Sequence, residues 1–135
     1  MKAHTDALVA LIKTIPAFAT KTFVMQVPSG TVLPYVILYP ADGTDSVERM
    51  TGPAVTQHPR WTMHTVGSSY SQCAAVAGLI KDKLVVNGWG ARLTVAGESC
   101  GPFWYSSPIP IQTDTDVTPA LIWHTAECGF DSDPA

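Results

Sequence analysis

The chain has 135 residues, of which 46% are apolar and only 14% charged, and its formal net charge is -3 at pH 7. That length suits one domain over residues 1–135 with an ordinary core. The lack of any lysine or arginine run disfavours a sequence-specific nucleic-acid reader. No stretch approaches the ~18 apolar residues of a membrane span, so no membrane partner is expected. The amino end is polar, then amphipathic, and lacks a signal-peptide core, which implies a cytosolic setting.

Residues Thr5 to Ile15 repeat as a first helix, with Leu8, Leu11, Ile12 and Ile15 on one face and Asp6 and Lys13 opposite. Pro16 stops it. Thr22 to Val27 alternates, placing Phe23, Met25 and Val27 together, and Pro28-Ser29-Gly30 punctuates it. The apolar run Tyr35 to Tyr39 lies between Pro34 and Pro40 and suits a central strand. The short Pro/Gly-rich connection predicts an antiparallel pair here. Asp42 to Pro59 has no sustained period and reads as an exposed arm or long hairpin connection carrying Asp42, Asp45, Glu48 and Arg49.

Arg60 to Val66 alternates, with Trp61, Met63 and Thr65 on one face. After Gly67-Ser68-Ser69 the period changes. Cys73, Val76, Ala77, Ile80 and Leu84 form one helical stripe within Tyr70 to Leu84. Ser69 and Gln72 have capping-box spacing. The opposite face holds Ser71, Ala75, Gly78 and Asp82, where lysine and glutamate would be usual on a solvated helix. Ala75 and Gly78 would let another layer or subunit approach closely. Asn87-Gly88 fits a helix stop.

Arg92 to Val95 reads as another short strand. Gly97 to Thr118 is broken by Pro102, Pro108 and Pro110, so only short extended pieces fit. Of the adjacent aromatics Phe103, Trp104 and Tyr105, at least one faces a partner or a neighbouring loop, since one strand cannot turn all three inward. Asp114 and Asp116 precede a final strand, Ala120 to Ala126, and the polar tail from Asp131 should fray. The expected fold is α+β. It is a two-layer sandwich, with a mainly antiparallel sheet of 4–5 strands, two helices packed on one face, and long connecting loops.

Catalytic chemistry is hard to place. The histidines His4, His58, His64 and His124 show no H-E-x-x-H or H-x-H spacing. His64 and His124 could meet across a sheet, but a pair falls short of a zinc site. Ser68 and Ser69 lack the G-x-S-x-G pattern and are explained by helix capping. No phosphate-binding glycine motif is present. Asp114-Thr115-Asp116 lacks the further ligands of an EF-hand. Cys73, Cys100 and Cys128 share no metal-ligand spacing and are expected as buried thiols. No enzyme activity, metal or cofactor is expected.

The run Arg60 to Ala77 resembles the middle of tail terminator proteins from long-tailed phages of actinobacteria. Pro34 to Tyr39 is similar to that family's second strand. Val95-Ala96-Gly97-Glu98-Ser99-Cys100-Gly101 and Asp114-Thr115-Asp116-Val117-Thr118-Pro119-Ala120-Leu121 follow in the family's order. The likeness runs from the first helix to the last strand. One region departs: Phe103-Trp104-Tyr105 stands where relatives are often more polar or basic. The resemblance implies a virion protein of the tail or neck, assembled in the host cytoplasm as a homo-hexameric ring. Such a ring caps the tail tube protein, joins the head-side connector or stopper, and passes DNA through its lumen. The family has no catalytic residues to carry over. Candidate inter-subunit or inter-ring contacts are Asp42, Asp45, Glu48, Arg49, Ala75, Gly78, Phe103, Trp104, Tyr105, Asp114 and Asp116. The alternatives are another neck component, a tail-tube-like subunit, or a small enzyme or ligand-binding domain, which would need a pocket with converging polar groups.

Overall fold

Alternation along the central strands decides which side of the sheet becomes core. A computed structural model describes residues 2–41, 56–116 and 121–134. In it β1 (Thr22–Val24), β2 (Tyr35–Ala41) and β3 (Arg60–Gly67) are followed by α2 (Tyr70–Leu84), and α1 (Lys2–Lys13) precedes them all. The hairpin β4 (Val85–Val86) and β5 (Trp89–Gly90) comes next, then β6 (Glu98–Cys100), β7 (Trp104–Ser106), β8 (Gln112–Asp114), β9 (Leu121–Gly129) and β10 (Ser132–Pro134). Among the described residues the main sheet has six strands in the order β1-β2-β3-β9-β7, with β8 also on β9. Both β7 and β8 pair with β9, β8 against Leu121–Trp123 and β7 against Glu127–Gly129.

Register puts Leu38, Met63 and Ala126 in one row across the sheet, and Trp61 beside Cys128 in another. These side chains are buried with Leu8, Ile12, Val76, Ile80 and Leu84 from the helices and with Ile15 just past α1. Both helices therefore cover the same face, and the fold is the expected α+β sandwich. Each of these large side chains contributes ~1.5–3 kcal/mol by leaving water. The Trp61 indole N–H donates to Thr5 Oγ1 at 3.0 Å, so the largest core residue buries no orphan donor.

The start of α2 is built as its residues suggest, with one shift. Ser69 Oγ accepts from the Gln72 amide at 3.2 Å, while Gln72 Oε1 accepts from the Ser68 amide and hydroxyl at 2.8 and 2.9 Å. The return bond of the capping box thus lands one residue early.

Six expectations need correction. The β1–β2 pair is parallel, because Met25 leaves the strand with φ 67° and the chain travels round to re-enter beside β1 in the same sense. Strand β1 accordingly ends at Val24, and Met25 is exposed. Arg92 to Val95 forms no ladder. Its alternation reflects one-sided burial of an extended segment, with Val95 buried and Leu93 half-buried. Asn87-Gly88 makes the β4–β5 turn, since α2 already ends with Val85 in an extended conformation. The tail does not fray: β10 pairs with β6, and Ser132 is fully buried. The end of the presumed arm is likewise packed. Gln57 exchanges both backbone hydrogen bonds with Ser132 at 2.9 Å, and Pro59 is fully buried.

Candidate interaction surfaces

The two strand histidines do not converge. His64 stands opposite Thr125, and His124 opposite Thr65, in adjacent register positions. The two imidazoles therefore lie on opposite faces of the sheet and do not meet. His64 stacks edge-on against Tyr39 at 5.2 Å, and His124 Nε2 lies 3.0 Å from Ser107 Oγ. Burial lowers the pKa of both. Among the described residues no three His, Cys, Asp or Glu side chains could share a metal ion. The three cysteines are free and buried, and burial pushes the Cys128 thiol up to about 12.

A polar cluster that sequence inspection missed lies under the carboxyl end. The Ser132 hydroxyl donates to Glu98 Oε2 at 2.9 Å and sits 3.0 Å from His4 Nε2. A hydroxyl has one hydrogen, so His4 must donate through Nε2, which leaves its Nδ1 as a bare lone pair. That Nδ1 is buried and has no partner among the described residues. Burial is the largest cause lowering the His4 pKa. Serine, histidine and glutamate meet here, but the carboxylate holds the hydroxyl and not the imidazole. Ser132 is 0% exposed, so no substrate reaches it. The cluster fastens β10 to α1 and β6. His58 Nδ1 with Asp131 at 2.6 Å, and Thr56 with Asp133, extend it. The only signal in the sequence was the run of hydrogen-bonding types from Asp131 to Asp133.

The three adjacent aromatics divide as their environments require. Phe103 is core, edge-on to Phe130 at 5.0 Å. Trp104 is 44% exposed at the sheet edge. Tyr105 is half-buried, its hydroxyl pKa raised to about 12 by burial, with Lys81 Nζ 5.9 Å from the ring centroid. Ala75 is exposed on α2, and Gly78 is half-buried with open space where a Cβ would stand. Gly78, Tyr105, Lys81 and His124 share a groove of about 260 Å³ between α2 and the β7–β8 edge. Asp114 is half-buried on β8, and its Oδ1 accepts from the amide of exposed Asp116 at 3.0 Å. Asp42, Asp45, Glu48 and Arg49 lie outside the described residues.

The sheet face away from the helices is aromatic and only half-covered. Phe23, Tyr35, Ile37 and Tyr39 share it by register with His64 and Trp123. Among the described residues no helix packs there. The molecule thus offers apolar surface on several sides, and polar side chains meet in the sealed cluster at Ser132.

No known protein family matches the chain, and no curated protein does either. Among solved structures it is similar to a chain in the virion of a native gene transfer agent particle. The TM-score is 0.51 at 17% identity, over 92% of this chain and 84% of that one. At that identity the likeness establishes a shared fold.

Proposed function

We propose that this protein is a structural subunit of a phage-like virion that forms a ring at the end of the tail tube, as a tail terminator. The observation that carries the proposal is the fold likeness to a virion chain across 92% of the sequence. The order of motifs similar to tail terminators supplies the finer assignment. Low charge content and apolar surface on several sides suit a subunit that is covered on assembly. The ring is a set of head-to-tail contacts that closes, six copies in the expected case, over one folded unit of residues 1–135. It stacks on the tail tube protein, receives the head-side connector, and makes or breaks no covalent bond. The acidic balance suits a lumen that repels phosphates and lets DNA slide.

Electron microscopy and mass measurement on the purified protein test this directly. Closed rings that bind the ends of purified tail tubes are expected. Long filaments would instead assign the chain to the tube itself, and a strict monomer indifferent to tail ends would overturn the ring.

A further inference from the structure

Three large apolar side chains gather at the far end of α2: Leu79 at 45% exposure, Val86 at 50% and Trp89 at 80%. Trp89 stands opposite Val86 across the Asn87-Gly88 turn. Both turn residues have positive φ, 53° and 82°, which is the tight turn of a two-residue hairpin. The base of this hairpin is fixed. The Ala91 amide donates to Leu84 O at 2.7 Å, and the Phe103 amide donates to Ala91 O at 2.9 Å. Gly90 packs so closely on the Phe103 backbone that no Cβ fits. The indole therefore projects from a backbone that is already held, although its own side-chain torsions are not. Covering it orders the side chain but no further backbone.

The groove beside Gly78 has the complementary chemistry. Ala74, Ala77 and Gly78 make a small-residue floor, with Tyr105 and Ile111 opposite. Lys81 holds its ammonium over the Tyr105 ring and has no carboxylate partner among the described salt bridges. A slot with these walls, Ser107 and His124 beside them and a cation at the rim fits an electron-rich ring face, and indole is the strongest side-chain acceptor for a cation.

We propose that Trp89 of one copy seats in the α2–Tyr105 groove of the next copy, as the head-to-tail contact of the ring whose existence is proposed above. Knob and groove share no residue, so each copy can give its knob to one neighbour and its groove to another, as a head-to-tail ring requires. A second apolar groove, about 410 Å³, borders the knob at Thr14, Ile15, Leu79, Lys83 and Val86. It shares Leu79 and Val86 with the knob, so an indole docked there would come from a two-fold mate and close a pair. Its rim carries Asp82 and Lys83 together, which cancel, whereas the Lys81 rim is cationic. That difference favours the head-to-tail site.

The test compares the full chain with Trp89→Ala and Gly78→Leu by light scattering and native mass spectrometry. Both variants should fold, because Trp89 is mostly solvated and a side chain at Gly78 enters open space; circular dichroism checks this. Each should weaken assembly by roughly tenfold or more, as loss of an aromatic anchor does. Mixing Trp89→Cys protein with Gly78→Cys protein should give a disulfide-linked heterodimer, since the native cysteines are buried. Rings that persist in both variants, without that cross-link, would overturn the knob-and-groove contact and leave the ring standing. A Trp89→Cys protein that cross-links to Thr14→Cys instead would replace it with the two-fold pair. A wild-type chain that is monomeric at every concentration would remove the contact and the ring together.

Discussion

Replacing Ser132 by alanine separates a packed carboxyl end from a frayed one. The hydroxyl is fully buried, donates to Glu98 Oε2 at 2.9 Å and accepts from His4 Nε2 at 3.0 Å. Alanine leaves the His4 N–H buried without an acceptor, at a cost of ~1–3 kcal/mol. Glu98 is half-exposed and regains water, so its lost bond adds little. The net expectation is a loss of about 2 kcal/mol. Unfolding entropy for 135 residues is about 0.28 kcal/mol/K, so the melting temperature should fall by about 7 °C. Urea titration followed by tryptophan fluorescence measures it, with melting by circular dichroism as a second probe. Ser99→Ala on the partner strand is exposed and should stay within about 0.5 kcal/mol. If Ser132→Ala is as silent as Ser99→Ala, the carboxyl end is not held by this cluster and the reasoning fails.

Stability should also fall with acid from about pH 6.5 downward. His4, His64 and His124 all have folded-state pKa values below the unfolded one, so the unfolded chain takes protons first; their contribution is complete above that pH and is lost as pH falls through the folded values. His4→Gln, which keeps a donor near Ser132 but does not titrate, should flatten that slope in a pH series of melting temperatures. Gly90→Ala sets a Cβ against the Phe103 carbonyl oxygen and 2.8 Å from its amide nitrogen, both backbone atoms, and should cost ~1–3 kcal/mol or more in urea. Ile80→Ala and Leu84→Ala, at 1% and 0% exposure, should each cost ~2–5 kcal/mol by the same measurement.

The parts of the fold that could be read in advance are those whose signal is local. The α2 stripe, its Ser69 cap and the alternation from Arg60 need only neighbouring residues to declare themselves. The errors share a different cause. Whether β1 runs with or against β2 depends on the path of residues 25 to 34, which short-range pattern does not encode. Arg92 to Val95 alternates as a strand does, yet a strand requires a partner, and burial of one side produces the same pattern without one. Polar residues at the carboxyl end read as solvated in the sequence because their partners, His4, Thr56 and Glu98, are remote along the chain.

The candidate surfaces follow the same division. Gly78 and Ala75 stood out because small residues on a helix face are anomalous in themselves. The groove beside Gly78 needs Tyr105 and His124, which only the sheet brings to α2. Gly88-Trp89-Gly90 reads as a turn from composition, but the 80% exposure of its tryptophan depends on the hairpin's anchorage at Gly90, which is not local. The balance of polar and apolar groups suits the proposed assembly. Hydrogen-bonding side chains such as Thr5, Thr65 and Ser132 are inside, while Met25, Val32, Tyr70, Val86 and Trp89 are outside. A monomer gains nothing from solvating those five. A subunit whose neighbours cover them gains burial on assembly that folding alone leaves unused. Single charge insertions at Trp89 or Val86 should therefore lower assembly far more than they lower the melting temperature of the isolated chain.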